Sequence, residues 1–275
     1  MTSVPFLKMH GAGNDFVVID NRKGTLAPAK LDMQKISDRH FGIGCDQVVV
    51  VEASKKADVR MRIFNADGGE VESCGNASRC VAVFVGKKDK VSIETLAGVI
   101  EAQLKEGGVV TMDMGAPRLD WKDIPLASAC DTLSLPIKEG RLHAPAAVSM
   151  GNPHMVFFVS DVEAISLSGL GPVLEHHPLF PERANVNVAQ VDSKNKITLR
   201  VWERGAGITL ACGTGACATL VAANRRGLTD RKAQVHLPGG VLLIEWRVSD
   251  DHVLMTGPVA ESYEGSFKIA DFTKR

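Results

Sequence analysis

The feature that most constrains the fold of this chain is an internal repeat whose period is about half the chain length. Residues 62–75 read RIFNADGGEVESCG, residues 200–213 read RVWERGAGITLACG, and the two segments align without a gap. In this alignment Cys74 falls on Cys212, which follows it by 138 residues. A chain with such a repeat is expected to fold as two copies of one unit.

The same offset holds upstream of these segments. It relates three further pairs of polar positions, which are Asn14 and Asn152, Gln47 and Asn185, and Asn65 and Glu203. Downstream the register drifts, and the second copy has about four extra residues. The repeat predicts a duplicated domain, with residues 1–118 and a C-terminal tail, 263–275, in the first half and residues 119–262 in the second. Pro117 and Pro125 interrupt the pattern near the border between the halves.

Both halves give the same order of predicted elements. Short β-rich runs come first, a glycine-containing turn leads into a helix, and strands follow again. The helices are predicted from Gly75 to about Gly86 and from Gly213 to about Arg226, and their nearly uncharged composition is typical of helices that are buried all round. The predicted fold class is α+β. It has two pseudo-symmetric halves, each a mostly antiparallel sheet wrapped around a central helix, with the active site in the cleft between them.

Composition and charge exclude several classes of partner. The formal net charge is zero, whereas proteins that bind nucleic acid or anionic membranes usually carry a basic excess. The first residues lack the basic and apolar regions of a secretory signal, which predicts a cytoplasmic protein. The uncharged segment 205–224 is diluted by Gly, Thr and Cys, so it predicts a buried helix rather than a membrane span. The charge cluster Lys87–Lys90 predicts a solvated loop.

Two of the six cysteines occupy positions that favour chemistry. Cys74 and Cys212 each stand directly before a predicted helix, whose first turn has unpaired backbone N–H groups and a partial positive charge. A thiolate is stabilised there, and its pKa can fall from about 8.5 to roughly 3.5–7.5. The same N–H groups bind carboxylates. The spacing of the cysteines does not match a common zinc site.

The symmetry of the two cysteines suggests a reaction. Inversion at a carbon needs one group that removes a proton and a second that delivers a proton to the opposite face, and each half offers one thiol. Other interpretations stay open at this point. The cysteines could be structural, could form a disulfide or redox switch, or could belong to a binding protein that catalyses no reaction. One cysteine could also be a hydrolase nucleophile with His154 as its base.

At these residues the sequence resembles the diaminopimelate epimerase family. The resemblance spans most of the chain, and the last of its segments is highly specific. The matching segments, in order, are HGAGNDFVVID from His10, GIGCDQ from Gly42, FNADG from Phe64, CGNASRC from Cys74, GNPH from Gly151, NVN from Asn185 and WERGAGITLACGTGACA from Trp202.

The resemblance implies an enzyme that interconverts LL- and meso-2,6-diaminopimelate for lysine and peptidoglycan precursors, without pyridoxal phosphate or a metal. It implies that Cys74 and Cys212 are the acid–base pair, and it is compatible with a homodimer. The substrate-binding residues it implies are Asn14, Gln47, Asn65, Gly75, Asn76, Asn152, Asn185, Glu203, Arg204, Gly213 and Thr214. It further implies that His154 and Glu203 tune the thiols. Asn, Gln and Arg supply the fixed donors and acceptors that a substrate with two amino-acid ends requires.

Overall fold

The computed structural model describes residues 3–72, 74–86 and 89–274, so Lys87 and Lys88 of the predicted solvated loop lie outside the described residues. The chain divides into two compact units. The first unit comprises residues 1–112 and 257–275, and the second comprises residues 113–256. Both borders lie a few residues before those predicted from the sequence.

The elements of the described residues follow one another in the order that the sequence repeat predicts. The strands are β1 (Ser3–Gly11), β2 (Asn14–Asn21), β3 (Gln47–Glu52), β4 (Val59–Asn65), β5 (Glu70–Val71), β6 (Lys90–Thr95), β7 (Gly98–Lys105), β8 (Val109–Asp113), β9 (Lys138–Glu139), β10 (Leu142–His143), β11 (Ala146–Ser149), β12 (Pro153–Phe158), β13 (Asn185–Ser193), β14 (Lys196–Glu203), β15 (Gly207–Thr209), β16 (Lys232–Leu237), β17 (Gly240–Trp246), β18 (Val253–Pro258) and β19 (Ala260–Lys268). The α-helices are α1 (Met33–Ser37), α2 (Gly75–Val85), α3 (Leu167–Glu175) and α4 (Gly213–Arg225). Short 3-10 turns cover Pro28–Lys30, Glu106–Gly108 and Ile269–Phe272.

The sheet of the first unit is mostly antiparallel. Strand β1 pairs antiparallel with both β2 and β19, so the C-terminal strand completes this sheet. The pairs β3–β4, β6–β7 and β7–β8 are also antiparallel, whereas β2–β3 and β4–β6 are parallel.

The second unit repeats this pairing strand for strand. The pairs β11–β12, β13–β14, β16–β17 and β17–β18 are antiparallel, whereas β12–β13 and β14–β16 are parallel. The third pair of each unit also keeps its register, because Val48 lies opposite Phe64 and Val186 lies opposite Trp202. Both residues of the second pair are displaced by the 138-residue offset of the sequence repeat.

The drift of the register downstream is also visible in the structure. Val59 of β4 pairs with Ile93 of β6, and the equivalent Ile197 of β14 pairs with Val235 of β16. The first partners differ by 138 residues and the second by 142, so four residues are inserted after the helix of the second unit. The predicted insertion is therefore confirmed.

A helix lies against most of the strands of each sheet. Helix α2 packs against β1, β2, β4, β6 and β7, and α4 packs against β11, β12, β13, β14, β16 and β17. The side chains of α4 from Gly215 to Ala223 are buried, and most are small because the surrounding strands approach closely. Leu220 and Val221 are fully buried, and each stabilises the unit by about 1.5–3 kcal/mol. The predicted α+β class, with a sheet wrapped around a central helix in each half, is confirmed.

The uncharged segment 205–224 holds strand β15 and most of α4 rather than one long helix. Within the part of the chain that the structure describes, no helix has both the length and the apolar content needed to span a bilayer.

Candidate active site

Cys74 stands at the N-terminus of α2, where the sequence predicts it. Its backbone is extended, with φ −149° and ψ 116°, and its carbonyl oxygen accepts the first helical hydrogen bond from the N–H of Ser78 at 2.9 Å. The thiol donates to Oδ1 of Asn14 across 3.8 Å. Nδ2 of Asn76 donates to the same oxygen across 3.1 Å. The structure thus brings together three of the residues that the sequence predicts for the site.

The amide of Asn14 is oriented by an acidic and basic network. Its Nδ2 donates to the Asp46 carboxylate across 2.9 Å, and Arg39 bonds both Asp46 and Asp15. Asp15 also pairs with Lys8. Partial burial opposes ionisation of Asp15, but the hydrogen bonds from Arg39 and Lys8 hold its pKa well below the ordinary value. A carboxylate only accepts hydrogen bonds, so Asp46 must face Nδ2, which leaves Oδ1 of Asn14 facing Cys74.

A buried cation lies behind Asn76. Arg79 is fully buried on α2, and its Nη2 donates to Oδ1 of Asn76 across 2.8 Å. The guanidinium needs the absence of a side chain at Gly11, because a Cβ there would lie 3.0 Å from Nη2. The sequence analysis did not select Arg79 or Asp46. Arg79 is the one charged residue of the sequence Gly75–Val85, and that charge in an otherwise uncharged helix is the signal that could have found it.

Gln47 and Asn65 form a second polar pair in the first unit. They lie opposite each other on β3 and β4, and Nε2 of Gln47 donates to Oδ1 of Asn65 across 2.8 Å. Both side chains are partly exposed. They are therefore accessible to a small polar ligand.

Cys212 begins α4 in the same way that Cys74 begins α2. Its sulfur lies 3.6 Å from Oγ1 of Thr214, and the N–H of Gly215 also faces it. On its other side the Cys212 side chain is hydrogen-bonded to the carboxylate of Glu203. That carboxylate also accepts a 2.5 Å hydrogen bond from the hydroxyl of Thr209.

The acidity of Cys212 differs from the sequence expectation. Burial raises its pKa well above the ordinary value of a thiol, and the negative charge of Glu203 raises it further. The hydroxyl of Thr214 and the N–H of Gly215 act in the opposite direction but are weaker. The prediction that the helix N-terminus lowers this pKa is therefore wrong for Cys212 in the substrate-free protein. A buried thiolate loses its hydration, and this loss outweighs the helix end.

A series of hydrogen bonds joins four polar side chains of the second unit to the sulfur. Nδ2 of Asn152 donates to Oγ1 of Thr214 across 3.3 Å, and Oδ1 of Asn152 lies 3.0 Å from Nε2 of His154. Nδ1 of His154 lies 3.1 Å from Nδ2 of Asn187. Burial and the charge of Arg204 lower the pKa of His154 to about 3, so its ring is neutral near pH 7.

Asn185 and Arg204 lie together at the ends of β13 and β14. Asn185 is buried, and its side chain bonds only the backbone, with Nδ2 donating to the carbonyl of Pro153 and Oδ1 accepting from the N–H of Arg204, each at 3.0 Å. The exposed Arg204 donates from Nη1 to the carbonyl of Glu182. Asn185 thus fixes the backbone at Arg204.

Asn187 is the functional side chain of the second unit that sequence reasoning missed. It is fully buried two residues after Asn185 on the same strand. Alternate residues of a strand share one face of the sheet, so the pattern NVN was a signal that both amides point the same way. Among the described residues, no group of three or more His, Cys, Asp or Glu side chains is placed to hold a metal ion.

Each repeat therefore has the same local arrangement of three positions. The cysteine begins a buried helix, the residue two positions later is polar, and an asparagine from a neighbouring turn or strand bonds that residue. The positions are Cys74, Asn76 and Asn14 in the first unit and Cys212, Thr214 and Asn152 in the second. Backbone N–H groups, a thiol and an amide then surround one point, which suits the binding of a carboxylate beside a proton-transfer group.

Comparison with known proteins agrees with this site. A sequence model described as diaminopimelate epimerase matches residues 6–119 and 146–261. The diaminopimelate epimerase of Erythrobacter litoralis is 56% identical over 271 residues, which cover 98% of this chain and 99% of that protein. The diaminopimelate epimerase of Rhodospirillum centenum is 56% identical over 265 residues, which cover 94% of this chain and 91% of that protein.

Solved structures with similar folds have much lower sequence identity. A phenazine biosynthesis protein of the PhzF family from Bacillus anthracis has a TM-score of 0.70 at 18% identity, and the match covers 98% of this chain and 100% of that chain. A hydroxyproline epimerase from Agrobacterium vitis has a TM-score of 0.67 at 16% identity, with 96% and 92% covered. These structures show the fold alone. The family match over both repeats and the near full-length relatives establish that the chain belongs to the diaminopimelate epimerase family and is an amino-acid epimerase.

Proposed function

We propose that this protein interconverts LL- and meso-2,6-diaminopimelate, with Cys74 and Cys212 as its two proton-transfer groups. The observation that carries the proposal is the repeated arrangement at the two helix starts. Each sulfur lies beside a polar side chain two residues later and a hydrogen-bonded asparagine. The names of the relatives in Erythrobacter litoralis and Rhodospirillum centenum supply the substrate.

In the proposed reaction one sulfur, as thiolate, takes the α-proton of the substrate. The electron pair of the broken C–H bond spreads into the adjacent carboxylate, and the other sulfur, as thiol, gives its proton to the opposite face of the carbon. The roles of the two sulfurs are then exchanged, and no electrons are gained or lost overall. The same thiols run the reverse reaction.

The N–H groups at the two helix starts stabilise the charge that develops on the carboxylate. Gly75 and Asn76 provide them at α2, and Gly213 and Thr214 provide them at α4. Donors held in place before the reaction are effective because they need no reorganisation when the charge appears.

The polar residues away from the sulfurs bind the second amino-acid end of the substrate. Gln47 and Asn65 are already paired with each other, Asn14 and Asn152 lie beside the helix starts, and the backbone of Arg204 is fixed by Asn185. A shorter amino acid would leave these donors and acceptors without partners, so it would bind weakly. Glu203 both tunes Cys212 and accepts the substrate ammonium group.

The proposal includes a setting for the reaction. The enzyme supplies meso-diaminopimelate for lysine and peptidoglycan precursors in the cytoplasm, and its chemistry uses neither pyridoxal phosphate nor a metal. Its partner is the small-molecule substrate, together with a second copy of the chain in a homodimer, and not nucleic acid or a membrane.

The structure disfavours the cysteine hydrolase that the sequence left open. A hydrolase needs a base that can take the proton of its nucleophile. Nε2 of His154 is bonded to Asn152 rather than to Cys212, and the pKa of about 3 makes this histidine a very weak base.

The test is proton NMR of LL-diaminopimelate in D₂O with reduced protein that has been freed of metals and added cofactors. We expect the α-proton signal to disappear while the meso isomer forms. Trans-4-hydroxyproline and proline are measured in parallel, because a structural relative is named for hydroxyproline. Exchange with those substrates but not with diaminopimelate would assign another substrate. Exchange with none of the three would overturn the proposed reaction.

A further inference from the structure

The hydrogen bonds that lead from Asn187 to Cys212 have one direction. Nδ2 of Asn187 is 3.1 Å from the carbonyl oxygen of Met155 and 3.1 Å from Nδ1 of His154. From His154 the bonds continue through Asn152 to Thr214 and the sulfur. The identity of each donor follows from the chemistry of the first partner.

A backbone carbonyl can only accept, so the Asn187 atom that faces Met155 must be the amide nitrogen. The same nitrogen faces Nδ1 of His154, which must then accept as well. A neutral imidazole has a single N–H, so the proton of His154 is on Nε2. The hydrogen-bond network therefore fixes the tautomer of this ring.

The tautomer sets the remaining bonds. The Nε2–H of His154 donates to Oδ1 of Asn152, so Nδ2 of Asn152 faces Thr214 and donates to its Oγ1. The hydroxyl of Thr214 has already accepted this bond, and its own hydrogen is directed at the sulfur of Cys212. In this way the orientation of Asn187 determines whether a donor faces the sulfur.

The other end of Asn187 points to a role beyond stability. Among the described residues its Oδ1 is buried without a hydrogen-bond partner. This oxygen packs against α4 so closely that a Cβ at Gly215 would lie 2.6 Å from it. A buried carbonyl oxygen without a partner destabilises a fold. An apolar side chain would avoid that cost but would lose the two bonds made by Nδ2.

We propose that Asn187 is a positioning residue that holds His154 in its Nε2–H tautomer and thereby keeps the hydroxyl hydrogen of Thr214 directed at the sulfur of Cys212. Asn187 acts through three other side chains and does not touch the substrate. The effect on turnover rests on the proposed function. The tautomer of His154 does not rest on it and can be measured without substrate.

The decisive variant is Asn187→Asp, which has the same shape but can present a hydroxyl oxygen to both partners. That oxygen would donate to the Met155 carbonyl and accept from Nδ1 of His154, so the proton should move from Nε2 to Nδ1. Asn152 would then turn its amide nitrogen to the ring, and Thr214 would donate to Asn152 instead of Cys212. We expect kcat to fall about tenfold or more, with a smaller change in KM.

The first measurement is a long-range proton–nitrogen NMR spectrum of protein with ¹⁵N-labelled histidine, with the His154→Gln variant identifying the signals of His154. The native protein should show an unprotonated Nδ1 and a protonated Nε2, and Asn187→Asp should show the reverse. A native Nδ1–H tautomer, or the same tautomer in both proteins, would overturn the proposal. A reversed tautomer with no epimerisation by the native protein would instead reject the proposed function alone.

The second measurement is a double-mutant cycle on kcat. If Asn187 acts through His154, Asn187→Asp should have little further effect in the His154→Gln background. Equal losses in both backgrounds would show a general structural role and would overturn the proposal. Should Asn187→Asp fail to fold, Asn187→Leu replaces it, and a mixture of the two tautomers is expected. The control is Asn21→Leu, because Asn21 is a buried asparagine that bonds the backbone of Leu26 outside this network. It should lower stability and leave the His154 tautomer unchanged.

Discussion

The amide oxygen of Asn14 lies 3.8 Å from the sulfur of Cys74 and accepts its hydrogen bond. Asp46 holds the amide nitrogen of Asn14, so the group that faces Cys74 is an acceptor. In the second unit the direction of the network places the hydroxyl of Thr214, a donor, at Cys212. The two repeats therefore have the same positions around their sulfurs but different hydrogen-bonding groups, which provides a basis for unequal behaviour of the two thiols.

Replacement of either cysteine tests the two-base mechanism. In Cys74→Ala and in Cys212→Ala one face of the carbon has no proton donor, so we expect epimerisation to fall by about 10²–10⁴-fold in a coupled or NMR assay. Cys130→Ala is the control, because Cys130 is partly exposed and lies outside the network. Near-native epimerisation by either of the first two variants would contradict the mechanism.

The charge of Glu203 should control the acidity of Cys212. In Glu203→Gln the negative charge that raises the pKa of Cys212 is removed, so the thiolate should appear at lower pH. The measurement is the rate of alkylation of Cys212 against pH, read by mass spectrometry of its peptide. Glu261→Gln replaces an exposed glutamate and should leave the profile in place. An unchanged profile in Glu203→Gln would show that burial alone sets the acidity.

His154 should make stability depend on pH. Its pKa is lowered from 6.5 to about 3 in the folded protein, so below pH 6.5 the unfolded chain takes up a proton that the folded chain does not. The free energy of unfolding should therefore decrease as the pH falls, by about 1.4 kcal/mol per unit from this group. Urea unfolding between pH 7 and pH 4 measures it.

The matched variant for that experiment is His154→Gln, which has no group to titrate and should give a flatter dependence. His40→Gln replaces an exposed histidine and should behave like the native protein. Equal slopes in all three proteins would rule out a neutral buried His154 as the source.

Asp46 should support catalysis without touching the substrate carbon. Asp46→Asn removes the obligate acceptor that orients Asn14, so the amide can turn its nitrogen towards Cys74. We expect kcat/KM to fall about tenfold, with little loss of thermal stability because Asp46 is exposed. Asp20→Asn breaks an exposed ion pair with Arg22 in the same unit and should leave kcat/KM unchanged. A native rate for Asp46→Asn would show that Asn14 keeps its orientation unaided.

Part of the fold could be predicted because the repeat places like patterns at equal spacing. The helices beginning at Gly75 and Gly213 were located to within one residue at their ends, since each follows a glycine-rich turn and has an uncharged composition. Helix α3 was not predicted, because Gly171 and Pro172 usually interrupt helices. The reason for Gly171 lies in the tertiary structure, where a Cβ would come within 2.4 Å of the Trp202 ring.

The candidate site shows the same division. The residue types of Cys74, Cys212 and the polar set were readable, because the chemistry of inversion requires them in a recognisable order along the chain. Asp46, Arg79 and Asn187 were not found, since each acts on a neighbour that only the folded chain brings within hydrogen-bonding distance.

The sequence by itself determined the duplication, the two helix starts and the position of one thiol at each, because these depend on the order and spacing of residues. Only the tertiary structure decided the acidity of Cys212 and the direction of the hydrogen bonds at both sulfurs. Acidity depends on burial and on the nearby charge of Glu203. Hydrogen-bond direction depends on which acceptor, the Asp46 carboxylate or the Met155 carbonyl, the fold places against an amide.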